Sequence, residues 1–255
     1  NSLFILLLII YGNLNAQEQS APNSEVIKNL SAGLGLCNDV IYDASFSLVR
    51  QIGTGPSFNL AYYQSNNKVS HIFENNIGIY RFHSEVPDPN YELSGIHLHE
   101  RFAYKYLRNY TFNRFTLSPG PSLVFDFSQI KPEGLVINNA PLHDFNLQLQ
   151  LAAKIVYPLE LFNRKCLLAY QLDLPVFGYN SRPDYLGFTE FSGDSKYFNS
   201  YGNYSFLSDK YWYIKNDFQF VLNYNKKNNY AIHVNQYYAQ NNLVNVYKES
   251  HGLQS

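Results

Sequence analysis

The chain has 255 residues and a formal net charge of -1, with 15% charged side chains, 23 Tyr, 19 Phe, one Trp and no Met. Near-neutrality without a basic block excludes a nucleic-acid surface, and two cysteines are too few for a disulfide scaffold. Aromatic enrichment at low charge, with many Asn and Gln, fits strands that have one apolar and one polar, uncharged face.

In chain order, Leu3 to Ile10 form a short apolar run, and Asn15-Ala16 precede the polar Gln17-Glu18-Gln19-Ser20. This reads as a signal peptide, residues 1–16, cut after Ala16. The run is far shorter than the roughly 20 residues of a spanning helix. No charged segment or Met precedes it, so the expectation is a sequence lacking its start. Residues 17–39 are read as a periplasmic lead-in or an extra strand, and 40–255 as one domain. Cys37 lies too far beyond the apolar run to anchor lipid, and its spacing from Cys166 supports no pairing.

Beyond residue 40 the hydrophobic period is two. Phe145, Leu147, Leu149, Leu151, Ala153 and Ile155 share one face, against Asn146, Gln148, Gln150, Ala152 and Lys154. Soluble sandwiches alternate too, but their strands usually run about 5–6 residues, whereas membrane strands need about 9–11. Strands are predicted near 40–51, 56–65, 69–83, 94–107, 113–127, 143–157, 165–177, 210–225 and 228–239. Phe58, Leu60 and Tyr62 form one apolar row; Leu168, Tyr170, Leu172, Leu174 and Val176 form a second, opposite Ala169, Gln171 and Asp173. Phe218, Phe220, Leu222 and Tyr224 form a third.

Short links at 64–68, 108–111, 162–164 and 225–228 alternate with longer ones at 84–93, 128–142 and 178–209. Such alternation marks the periplasmic and external ends of a membrane barrel and sets the N-terminus on the periplasmic side. Gly53-Thr54-Gly55-Pro56 breaks the rule as a short link at the external end. The tail 244–255 reads as part of a tenth, closing strand that is truncated. A further strand over Val26 to Leu36 would raise the total to twelve. The expected fold is an antiparallel up-and-down transmembrane β-barrel of about ten strands.

His97, His99, Arg101 and Lys105 fall on one polar row opposite Ile96, Leu98, Phe102 and Tyr104. With Asp126, Lys154, Asp173, Asp217 and His233 they are expected to line the lumen as paired charges. His-x-His on a strand, about 6.6 Å apart, could chelate a metal, but a third ligand would have to come from elsewhere. No metal or cofactor is therefore expected. Glu100, on the apolar face, suggests a bulge or register error. A rim hydrolase acting on lipids or peptides would need a nucleophile and base; Ser118 or Ser122 with His97 or His233 and an Asp are the candidates. The acidic pair and Asp-x-His of omptin proteases and the His-x-Ser of lipid A deacylases are both missing. Tyr185, Tyr197, Tyr201 and Tyr204, in the aromatic 178–209 segment, are candidates for surface binding.

The Ala16-Gln17 junction, the long alternating strands, and the segments Tyr157-Pro158-Leu159 and Leu172-Asp173-Leu174-Pro175 resemble outer-membrane β-barrel proteins of Gram-negative bacteria. The resemblance covers most of the chain and implies outer-membrane location, contact with outer-membrane lipid and envelope protein partners; it carries over no catalytic residue. The expected role is a narrow pore, an anchor or a subunit of an outer-membrane assembly. A hydrolase and a surface-loop binding module or adhesin stand as alternatives.

Overall fold

A computed structural model describes residues 12–14, 26–43, 47–84, 94–133, 142–182, 201–206, 211–223, 229–243 and 246–254. All regular structure among them is β. The strands are β1 (Gly12–Leu14), β2 (Ile27–Asp43), β3 (Ser47–Ser65), β4 (Val69–Ser84), β5 (Ser94–Arg108), β6 (Tyr110–Thr111) and β7 (Thr116–Glu133). They continue as β8 (Leu142–Leu161), β9 (Arg164–Arg182), β10 (Tyr201–Phe206), β11 (Tyr211–Asn223), β12 (Asn229–Leu243) and β13 (Val246–Gln254). No helix among the described residues is long and apolar enough to cross a membrane, which says nothing about strands.

Ten strands close a ring in the order β2-β3-β4-β5-β7-β8-β9-β11-β12-β13, every neighbour antiparallel, with β13 returning to β2. The fold is an antiparallel β-barrel of ten strands. Closure satisfies backbone donors and acceptors that an open edge would leave unpaired. The short β1, β6 and β10 extend the ladders of β2, β7 and β9.

Two boundaries differ from the sequence expectation. Residues 40–51 are not the first strand; β2 begins at Ile27, so Val26 to Leu36 join Cys37–Asp43 instead of adding a strand. Gly53-Thr54-Gly55-Pro56 is no link either, but lies inside β3. These residues mimic a turn because Gly and Pro punctuate strands. Gly55 is needed for close approach instead: a Cβ there would stand 1.8 Å from the Ile79 carbonyl oxygen. The connection after β2 is residues 44–46, outside the described residues. At Glu100 no bulge exists; the ladders of β5 run unbroken on both sides, and the outward Glu100 accepts a hydrogen bond from Asn75 Nδ2 at 3.3 Å. A real bulge sits in β9, where Gln150 pairs with Pro175 but Leu149 with Phe177. It skips Val176, so Phe177 takes the outward place that Val176 was expected to hold.

The barrel is apolar outside and polar inside. Outward Leu34, Phe58, Leu60, Phe73, Phe102, Leu123, Leu149, Leu151, Tyr170 and Phe218 are all exposed. Among the described residues, buried polar side chains outnumber buried apolar ones, the reverse of a soluble domain. Apolar layers cross the lumen at two levels. Ile41, Tyr80, Phe82 and Ile130 lie toward the end of the longer links; Ile72, Leu107 and Ala152 pack toward the short turns, with Tyr63 against them.

Candidate functional site in the lumen

Strand alternation sends every second side chain of β4, β5, β7, β8, β9, β11 and β12 into the lumen. His97, Arg101, Lys105, Asp126, Asp173 and Asp217 are buried there; His99, Lys154 and His233 are half-buried. Burying these charges would cost several kcal/mol each unless paired, and the register supplies partners. Lys105 Nζ donates to Glu74 Oε2 at 2.8 Å and lies 3.1 Å from Asp173 Oδ2. Lys215 Nζ lies 3.6 Å from Glu74 Oε2 and 3.8 Å from Asp217 Oδ2. His233 pairs with Asp217, and Gln171 Nε2 donates to both Asp173 oxygens at 2.9 and 3.1 Å. One network thus joins five strands.

These contacts span the lumen. β4 and β11 stand five places apart in a ring of ten, on opposite walls, yet Glu74 meets Lys215. Nearer the longer links, His99 faces Tyr237 of β12, also on the opposite wall, with ring centroids 6.1 Å apart. Nearer the short turns, Lys154 of β8 lies 5.7 Å from the Tyr63 ring centroid on β3. A cavity of about 260 Å³ lies below the central network, bordered by Tyr63, Ile72, Glu74, Lys154, Lys215 and His233.

A second group lies toward the longer links. His99 Nε2 is 3.1 Å from Asp126 Oδ1, and Arg101 lies 3.8 Å from Asp126 Oδ2 and donates to Gln150 Oε1 at 3.3 Å. His97 Nε2 is 2.8 Å from Ser128 Oγ, and its Nδ1 is 3.4 Å from Asp39 Oδ2. The Tyr80 ring packs at 5.1 Å from the His97 ring. Among the described residues, no group of three or more His, Cys, Asp or Glu could hold a metal. Cys37 and Cys166 are free.

The serines expected for a hydrolase stand elsewhere. Ser118 Oγ donates to Asn109 Oδ1 at 2.8 Å near a short turn, and neither it nor the buried Ser122 meets a histidine among the described residues. Glu74, Lys215, Asp39 and Ser128 escaped sequence reading. Asp39 sat in the expected lead-in and Ser128 in an expected link, while β4 around Glu74 has no clean alternation. Tyr185 and Tyr197 lie outside the described residues; Tyr201 and Tyr204 belong to β10, opposite Arg182 and Tyr179.

No family model matches the sequence, and no curated protein is similar to it. Among solved structures, the chain is similar to the beta domain of the Bordetella autotransporter BrkA, at 9% identity over 96% of each chain with a TM-score of 0.38. It is also similar to CdiB from Acinetobacter baumannii, at 8% identity over 97% of this chain and 59% of that one, TM-score 0.28. A third similar structure is Pseudomonas aeruginosa OccK11 (OpdR), at 8% identity over 97% and 93%, TM-score 0.17. At such scores the barrel rests on this chain's own strand pairing.

Proposed function

We propose that this protein is an outer-membrane barrel with a sealed lumen, serving the envelope as a membrane-embedded anchor or assembly subunit instead of a diffusion pore. Its outward apolar face supports membrane insertion, since an exposed apolar band of this extent has no place in water and closed barrels are the β-structures that span bilayers. The observation that carries the sealed state is the Glu74–Lys215 contact between opposite walls, stacked between the His99–Tyr237 and Lys154–Tyr63 contacts. A ten-strand barrel has an interior only slightly wider than one that side chains fill completely. Charge pairs across it leave little space for a continuous water column.

The links 66–68, 109–115, 162–163 and 224–228 at the end where β2 begins are all short, whereas three of the five links at the other end are longer, which supports a periplasmic N-terminus. The purified, refolded chain in planar bilayers tests the seal. Little or no steady conductance is expected; large, long-lived open currents from the wild-type protein would overturn the sealed reading.

A further inference from the structure

We propose that Ser128, His97 and Asp39 form a nucleophile, base and positioning-acid set that cleaves carboxylic esters at the long-link end of the lumen. Each residue sits on a different strand, and the barrel brings them to one level. His97 is three residues inside the start of β5, Ser128 five from the end of β7, and Asp39 four from the end of β2. All lie about 10–17 Å of strand from the same rim. The imidazole is divided as acyl transfer requires: Nε2 meets the serine oxygen at 2.8 Å and Nδ1 faces the carboxylate at 3.4 Å. That is the arrangement of roles by which serine hydrolases are recognised, independent of fold or chain order. At 3.4 Å the Asp39 contact is an ion-pair distance and not a formed hydrogen bond; catalytic hydrogen bonds are often long in the absence of substrate and tighten with it.

His99 and His233 also face carboxylates, but through Nε2; at His97 the carboxylate lies on the Nδ1 side and Nε2 is left to the serine hydroxyl. The residues one step rimward on the same faces define the substrate class. Ile41 follows Asp39, Ile130 follows Ser128, Gly95 precedes His97, and Phe82 pairs with Gly95. Apart from the buried Gln51, which pairs with Ile41, this layer is apolar, so the acyl portion of the ester is a hydrocarbon chain. Ser128 Oγ attacks the ester carbonyl carbon, forming a C–O bond while the carbonyl electron pair moves onto oxygen. The hydroxyl proton passes to His97 Nε2, and Asp39 stabilises the imidazolium through Nδ1. Collapse breaks the bond to the leaving alkoxide, which takes the proton from Nε2. Water then attacks the acyl-Ser128 carbonyl and gives a proton to His97; collapse releases the carboxylic acid as that proton returns to Ser128.

The full refolded chain is treated with a fluorophosphonate probe and the adduct located by mass spectrometry. Hydrolysis of p-nitrophenyl butyrate and of dioleoylphosphatidylcholine vesicles is assayed beside it, which separates a soluble ester from a lipid as the source. The expected result is an adduct on Ser128 and turnover of one or both esters. Ser128→Ala and His97→Ala should each lower turnover on the order of 10³-fold or more. Asp39→Asn should lower kcat while leaving KM within about twofold, a split that loss of fold would not give. Absence of a Ser128 adduct on the folded wild type, or turnover unchanged in Ser128→Ala, overturns the assignment without bearing on whether the barrel conducts.

Discussion

Lys105 shows how a single side chain sets the interior. Its ammonium lies between Glu74 and Asp173, with no exposed surface. Removing one partner of a buried ionic group leaves the others uncompensated, at about 3–5 kcal/mol. Lys105→Met should therefore destabilise the barrel by that amount, read as a lower urea midpoint in lipid vesicles. Neutralising both acids in Lys105→Met/Glu74→Gln/Asp173→Asn should recover a large part of the loss, because it removes the Asp173 carboxylate that Lys105 paired and the Glu74 carboxylate left with Lys215 alone. If the triple variant is as unstable as the single one, packing of the lysine stem, and not its charge, holds this level together.

At the scale of an element, β8 carries the clearest division of faces. Leu147, Leu149, Leu151, Ile155, Tyr157 and Leu161 are exposed outward, while Asp144, Asn146, Gln148, Gln150 and Ala152 are buried inward. Its 20 residues are about twice what crosses a bilayer, so depth along the strand decides the cost of a charge. Leu151→Arg near the strand's middle should cost about 2–4 kcal/mol in refolding stability, and Leu161→Arg at the turn about 0–1. Equal costs would mean that this face does not meet lipid along a depth gradient. The same alternation made β8, and the polar row from His97 to Lys105, legible in the sequence, since face membership needs only parity. Partners across the lumen need ring closure and register, which no local pattern encodes. Thus Lys105 could be placed inside while Glu74 and Lys215 went unnoticed. Gly53-Thr54-Gly55-Pro56 misled for a related reason: glycine demanded by a neighbouring strand's backbone looks, in sequence, like glycine demanded by a turn.

At the scale of the whole molecule, the proposed membrane insertion implies a direction that the turns set. The tightest described turn is Phe162-Asn163, both at positive φ of 51° and 59°, the geometry of a two-residue hairpin that follows strand twist. It lies at the same end as 66–68 and 109–115, whereas 85–93, 134–141 and the segment from 183 to 200 connect strands at the other end. Short turns face the periplasm in membrane barrels, and the rim nearest the proposed ester-cleaving set would then face the outer leaflet. Cysteine labelling separates the two orientations, because Cys37 and Cys166 are buried and give little background. A membrane-impermeant maleimide should label Glu133→Cys, at the long-link end of β7, on intact cells, and Asn163→Cys only after the outer membrane is permeabilised. The opposite pattern would invert the barrel and set Ser128 near the periplasmic rim. That outcome would direct any lipid hydrolysis to the inner leaflet, a difference that leaflet-selective lipid labelling in the same cells would register independently.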